Sequence, residues 1–409
     1  MTVLPLQLPL ADAVPPAGAA AAAPADSLLG LYRRPPIELV RGAGVRVFDA
    51  DDRAYLDFTS GIGVNALGYG DRGIASVIGE TLSSGLVHTS NMYHTRPARR
   101  LATELTQRSS LDAAFFCNSG AEANEGAFKF ARRWARGIGG AAKHEILALR
   151  GGFHGRLFAT LAATDRPGYR APFRPLAGGV SVVERDLRTL ESALDRDTVA
   201  ALIVEPVQGE GGVRVLDPEL LIALRELTRE RQVALILDEI QCGLGRTGWL
   251  FACERSGIVP DLMTLAKPLA GGLPMGAVLL SADIAAAMQP GDHGTTFGGG
   301  PLVASVALHV LGRLSDPSLL GHVRETGAWL GDALGALAER AARVRAVRGI
   351  GYMWGIDVTE PAGDVVRRAR EAGLLICSAG DYTLRLLPPL IASHAELAEG
   401  LALLQEALA

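Results

Sequence analysis

The chain has 409 residues, 48% of them hydrophobic and 21% charged, which is enough for a sizeable core and ordinary for a globular protein. A formal charge of -4 and a pI near 6.1 exclude an electrostatic case for nucleic acid or an anionic membrane and leave small-molecule chemistry as the function class. Cys117, Cys242, Cys253 and Cys377 show no paired C-x-x-C spacing, so neither a zinc site nor a disulfide framework is expected, and reduced thiols of a cytoplasmic protein are.

Residues 1–27 include PLADAVPPAGAAAAAPAD, which lacks a basic start and carries only a short alanine run, so a disordered leader is expected rather than a signal peptide. From residue 28 to 70, ELVRGAGVRVFDADDRAYLDF alternates apolar and polar residues around the turn Asp49 to Asp52, as a hairpin does. Residues 71–315 then alternate short apolar runs with amphipathic stretches. The runs are AAFFC, EILAL, VAALIVE, VALILD, LMTLA and GAVLLS, and PELLIALRELTRERQ typifies the helices between them. This alternation predicts an α/β fold whose mostly parallel central sheet is covered by helices. Two long helices are expected near 301–314 and 318–342, followed by the strand-like VRAVRGIGYMWGIDV, a helix near 363–373 and TLRLLPPL. Residues 316–409 are expected to join the N-terminal segment in a smaller α+β domain, because chain ends commonly lie close in space. No run reaches the roughly 18 apolar residues of a membrane span.

Ligands of open parallel sheets sit beyond the carboxyl ends of the strands, and four unusual loops fall there. AAFFC leads into NSGAEANEGAFKFAR, where Ser119, Gly120 and Ala121 open a helix whose first amides can hold a phosphate; an ordinary capped turn is the competing reading. EILAL leads to RGGFHGR, with Phe153, His154 and Arg156 in a glycine-rich loop or a plain surface turn. VAALIVE leads to PVQGEGGV, with Glu205, Gln208 and Glu210. LMTLA leads to Lys267, which on a solvated surface would mean nothing but, desolvated, becomes a nucleophile. VALILD ends in Asp238, a carboxylate at the edge of a core that needs a cationic or hydrogen-bonding partner. A lysine, a carboxylate, a phosphate-binding turn and an aromatic face are what pyridoxal 5'-phosphate (PLP) requires.

NSGAEANEGAFKFAR, GGFHGR, EPVQGEGGV, LILDEIQCGLGRTG, LAKPLAGGLPMGA, HGTTFGGGPL and LRLLPPL occur in an order that resembles the class III PLP-dependent aminotransferases, from about Leu31 to the C-terminus. The resemblance implies the fold type I of PLP-dependent transferases. It also implies that Lys267 is the Schiff-base lysine and Asp238 the partner of the pyridinium nitrogen. Gly120 and Ala121 match the phosphate turn, Phe153 the ring-stacking aromatic and Gln241 a partner of the phenolic oxygen. Thr296 matches a threonine that reaches the phosphate of a neighbouring subunit, implying a homodimer with shared active sites.

For substrate, the resemblance makes Arg156 the clamp for the donor's α-carboxylate, Thr295 a second contact, Arg385 the site for glutamate's α-carboxylate, and Glu210 the switch that neutralises Arg385. The implied reaction moves the terminal amino group of N2-acetyl-L-ornithine to 2-oxoglutarate. Succinylornithine, ornithine, 4-aminobutyrate and acetylated or carrier-linked lysine precursors remain alternative donors, and a non-catalytic binding protein is the alternative outside enzymes. SNMYH, Ser90 to His94, is expected at the substrate entrance. Ala121, Gly300 and GYGDR depart from residues common in the family.

Overall fold

Seven strands form the central sheet of the computed structural model, which describes residues 27–409. The expected leader, Ser27 apart, lies outside the described residues. In spatial order the strands are Ala113–Cys117, Gly276–Leu280, Leu262–Leu265, Ala234–Asp238, Val199–Val204, Glu145–Leu149 and Val180–Val183. The four strands at Leu262–Leu265, Ala234–Asp238, Val199–Val204 and Glu145–Leu149 each pair in parallel with the next, and Val180–Val183 continues the series. Gly276–Leu280 alone runs the other way, antiparallel to both of its neighbours. Every residue of Val199–Val204 and Ala234–Asp238 is buried, which is why these segments read as unbroken apolar runs: helices cover both faces of the sheet.

Local chemistry sets the helix starts. The side chains of Ser119, Asp217, Asp316 and Ser393 cap helices Gly120–Gly139, Pro218–Glu230, Pro317–Arg340 and His394–Leu408 by accepting from amides of the first turn. Proline stands in the first turn of the Pro218, Pro301 and Pro317 helices, where its missing N–H costs nothing. Helix Ala362–Ala372 stops at Gly373, whose φ of +99° suits a residue without a Cβ.

The expected early hairpin is present as Arg46–Asp49 paired with Ala54–Asp57, and Leu39–Ala43 extends it. Asp49 ties the turn by accepting from the amides of Asp51 and Arg53. The strand Leu374–Leu375 joins this sheet in parallel with Ala54–Asp57, so segments about 320 positions apart share one sheet. A second sheet orders Val344–Ile350, Met353–Val358, Thr383–Leu386 and Cys377–Ser378. The run VRAVRGIGYMWGIDV is therefore two antiparallel strands turning at Gly351 and Tyr352, and TLRL ends before the prolines of LLPPL. Residues Leu39–Ala409 form one compact unit, and no described helix is long and apolar enough to cross a membrane.

Candidate active site

Asp238 ends its strand in register with Thr264 on the neighbouring parallel strand, and its buried carboxylate meets three donors of the protein. One oxygen, Oδ2, accepts from Asn124 Nδ2 at 2.7 Å and lies 2.8 Å from His154 Nδ1, while Oδ1 accepts from the Ile240 amide at 3.1 Å. An ionised carboxylate can only accept, so His154 carries its proton on Nδ1. Asn124 is fixed in turn: its Oδ1 accepts from Thr264 Oγ1 at 2.8 Å and its Nδ2 also donates to the His154 carbonyl at 2.8 Å. These contacts hold an anion at a stated point beyond the sheet's carboxyl edge.

Lys267 follows the next strand and takes φ of +44°, a left-handed conformation uncommon for a lysine and typical of constrained functional positions. Burial lowers its pKa to about 8, with the Arg385 guanidinium adding to the effect and Glu210, Asp238 and Glu205 opposing it. The chain has only three lysines. Lys129 bonds His293, and Lys143 donates to the Arg231 carbonyl, so Lys267 is the one placed among these carboxylates.

Arg385 lies on Thr383–Leu386 and is 1% exposed. Its Nη1 sits 2.6 Å from Glu210 Oε1 and donates to Gln241 Oε1 at 3.1 Å, and its Nε donates to Cys377 Sγ at 3.4 Å. Gln241 needs a glycine beside it: a Cβ at Gly209 would stand 2.1 Å from Gln241 Oε1. Glu205 links the two glycine-rich loops, accepting from the Phe153 amide at 2.8 Å and the Gly209 amide at 3.0 Å. Burial raises its pKa, and nearby His154 opposes that rise.

Gly120 and Ala121 open a 20-residue helix, and their amides have no acceptor among the described residues, whereas the amides of Glu122 and Ala123 bond Ser119. The turn is tightly cradled: a Cβ on Gly120 would meet Ile240 at 2.9 Å, and one on Gly155 would meet the Ala121 Cβ at 2.8 Å. Phe153 is half-buried and meets Tyr169 edge-to-face at 6.5 Å, and exposed Arg156 lies over the Tyr169 ring at 4.2 Å. Thr295 accepts from Asn118 Nδ2 at 3.1 Å, which ties its loop to the Gly120 turn. Exposed Thr296 lines a cavity of about 400 Å³ with Thr295, Phe297 and Leu157.

The predicted residues thus fall into a central set, Lys267, Asp238, Gln241, Glu210 and Arg385, joined by direct contact or by mutual electrostatics, with Phe153 tied to it through Glu205. Thr295 and Thr296 belong to a different loop and touch none of that set. The roles of Asn124, Tyr169 and Cys377 are not apparent in the sequence, and His154, quoted there, had no role. Asn124 does leave a signal: a buried amide between Ala123 and Ala127 on the apolar face of a helix must find partners. Glu239, the neighbour of Asp238, has a structural use, accepting from the amides of Ala252 and Cys253 at 2.6 and 2.8 Å; burial raises its pKa to about 7.

The residues present fit PLP. Two open amides at a long helix start suit its phosphate, the anion at Asp238 suits a protonated ring nitrogen, and a lysine with a lowered pKa suits its aldehyde.

Comparison with known proteins agrees. The family model described as Aminotransferase class-III matches residues 31–408. The acetylornithine aminotransferase of Methanocaldococcus jannaschii is 45% identical over 89% of this chain and 91% of its own. Among solved structures, N-acetylornithine aminotransferase from Stenotrophomonas maltophilia K279a is 36% identical with a TM-score of 0.80, covering 92% of this chain and 96% of that one. Ornithine aminotransferase from Toxoplasma gondii ME49 is 29% identical with a TM-score of 0.90, covering 93% and 92% respectively. With its motifs in register and its fold shared, the chain belongs to the class III aminotransferases, enzymes that work with pyridoxal 5'-phosphate.

Proposed function

We propose that this enzyme transfers the terminal amino group of N2-acetyl-L-ornithine to 2-oxoglutarate, yielding N-acetyl-L-glutamate 5-semialdehyde and L-glutamate, a step of arginine biosynthesis. The observation that carries the reading is the 2.6 Å pair of Arg385 and Glu210, together with an Arg156 that pairs with no carboxylate among the described residues. One pocket must accept a donor that reacts at its far end and an acceptor that reacts next to its carboxylate. Glu210 masks Arg385 while Arg156 holds the donor's carboxylate, and moves aside when the acceptor's carboxylate takes Arg385 bidentately. The acetylornithine aminotransferases among the relatives, 45% and 36% identical, support the same donor.

Gly120 and Ala121 would hold the cofactor's phosphate, Phe153 its ring face, Asp238 its ring nitrogen, Gln241 its phenolic oxygen and Lys267 its aldehyde carbon. When bound, PLP supplies an aldehyde that condenses with amines and a protonated ring that withdraws electrons from the neighbouring carbon. Lys267 Nζ, when not bonded to the cofactor, would take the proton from the amine-bearing carbon as a base and hand it on as an acid. Asn124 and His154 fix the Asp238 carboxylate in place at its Oδ2, where it would hold the ring proton. A panel of N-acetylornithine, N-succinylornithine, ornithine, 4-aminobutyrate and N-acetyllysine with 2-oxoglutarate tests the reading. N-acetylornithine is expected to give the highest kcat/KM, and a clear preference for another donor sinks the substrate assignment.

A homodimer is part of the proposal. Met92, Tyr93 and Phe297 are large, apolar and 81%, 71% and 65% exposed, and Asn91 Nδ2 joins their two loops by donating to the Thr295 carbonyl at 2.7 Å. An apolar surface of this kind next to Thr296 suits a second copy, whose cofactor phosphate Thr296 would reach. Light scattering is expected to give a dimer of the 42.9 kDa chain, and a fully active monomer contradicts it. The four free cysteines support a cytoplasmic setting.

A further inference from the structure

The two arginines assigned to substrate carboxylates are kept ready in different ways. Arg385 is buried and neutralised by Glu210. Arg156 is exposed, and among the described residues its guanidinium has neither a hydrogen-bond acceptor nor a carboxylate; its contact is the face of Tyr169, 4.2 Å from ring centroid to Cζ. Stacking uses the flat face of a guanidinium and leaves its in-plane N–H groups free, and those are the groups a carboxylate binds in a fork. A carboxylate in Tyr169's place would occupy the same N–H groups and compete with substrate. The ring restrains a long side chain, whose ordering otherwise costs entropy at each binding event, without filling its donor sites.

Tyr169 is itself placed by the cofactor side of the site, because its ring meets Phe153 edge-to-face at 6.5 Å with an interplanar angle of 84°. Its backbone is anchored in the short Pro167–Arg170 helix, where the Tyr169 amide donates to the Arg166 carbonyl at 3.0 Å. The aromatic pair and the stacked cation therefore form a row from Phe153 through Tyr169 to Arg156. We propose that Tyr169 is a positioning residue that presents Arg156 to the carboxylate of the amino donor. The proposal rests on the reading of Arg156 as the donor clamp.

Steady-state kinetics on PLP-loaded Arg156→Ala, Tyr169→Leu, Tyr169→Gln and Tyr169→Phe test it, with KM read for N-acetylornithine and the visible cofactor absorbance recorded for each. Tyr169→Leu and Tyr169→Gln, which lack an aromatic face, are expected to raise the donor KM about threefold to fivefold, the range of an exposed cation–π contact. The absorbance should stay at the wild-type value, and Tyr169→Phe, which keeps the face, should restore the donor KM. Arg156→Ala should raise the donor KM further. If Arg156→Ala raises it and neither Tyr169→Leu nor Tyr169→Gln does, the role of Tyr169 is overturned while the clamp reading stands. If Arg156→Ala leaves it unchanged, the clamp reading itself fails. A changed absorbance, or a donor KM that Tyr169→Phe fails to restore, would mark Tyr169 as merely structural and also overturn the proposal.

Discussion

Lys267→Ala is expected to remove the visible absorbance of the PLP-loaded protein and to lower kcat by roughly 10⁴-fold or more, since it deletes both the covalent anchor and the proton carrier. Neither remaining lysine can substitute, because Lys129 is held by His293 and Lys143 by the Arg231 carbonyl. The same residue gives a pH dependence with a definite sign. A pKa lowered from 10.5 to about 8 means that between these values the unfolded chain binds a proton that the folded apoprotein does not. Stability of the apoprotein therefore gains from Lys267 as pH rises through that window, and below about pH 8 the buried charge is a net cost. Lys267→Met, uncharged and of similar length, should make the apoprotein more stable at pH 7, on the order of 2 kcal/mol, and flatten the slope between pH 8 and 10. Urea unfolding of both apoproteins at several pH values measures this, and a less stable Lys267→Met contradicts it.

The second large effect is expected from Asp238→Asn. The shape is kept, and the oxygen facing the Ile240 amide can still accept. The other position becomes an NH₂ group facing two donors, Asn124 Nδ2 at 2.7 Å and His154 Nδ1 at 2.8 Å. One of the three must lose its partner in a buried site, which costs roughly 1–3 kcal/mol. His154 could avoid this only by moving its proton to Nε2, which has no acceptor among the described residues. Function should suffer more than folding, because a neutral amide would no longer hold a proton on the ring nitrogen of bound PLP, and proton removal by Lys267 from the substrate carbon would lose its electron sink. A fall in kcat of about 10²-fold to 10⁴-fold is expected, with Lys267 still able to bind cofactor. Activity near wild type would remove Asp238 from the mechanism.

Much of this arrangement was legible in the chain. A strand buried on both faces must be continuously apolar, so EILAL, VAALIV and VALILD announced themselves, and the residues that break each run stand at the edge where ligands bind. The reversed strand Gly276–Leu280 was not foreseen, because apolar patterning carries no direction. The ten residues between Leu265 and Gly276, with four glycines or prolines among Pro268, Gly271, Gly272 and Pro274, leave no helix for a parallel crossover and hold the missing signal. Asn124 and Asp238 are 114 positions apart, and a hydrogen bond across that separation exists only once helix and sheet are stacked. Likewise Glu239 looks like a twin of Asp238 in sequence, yet the alternating direction of strand side chains sends it to the opposite side, where it satisfies the Ala252 and Cys253 amides. Tyr169 could not be linked to Arg156 from a spacing of thirteen residues through an irregular loop.

The central claim is that Lys267 is the residue to which PLP attaches, opposite Asp238. Borohydride reduction of the PLP-loaded protein followed by peptide mass mapping tests it most directly, and a chain with three lysines makes the result unambiguous. The account predicts one stoichiometric phosphopyridoxyl adduct, on Lys267. An adduct on Lys129 or Lys143 instead, or none on Lys267 in catalytically active protein, would contradict it.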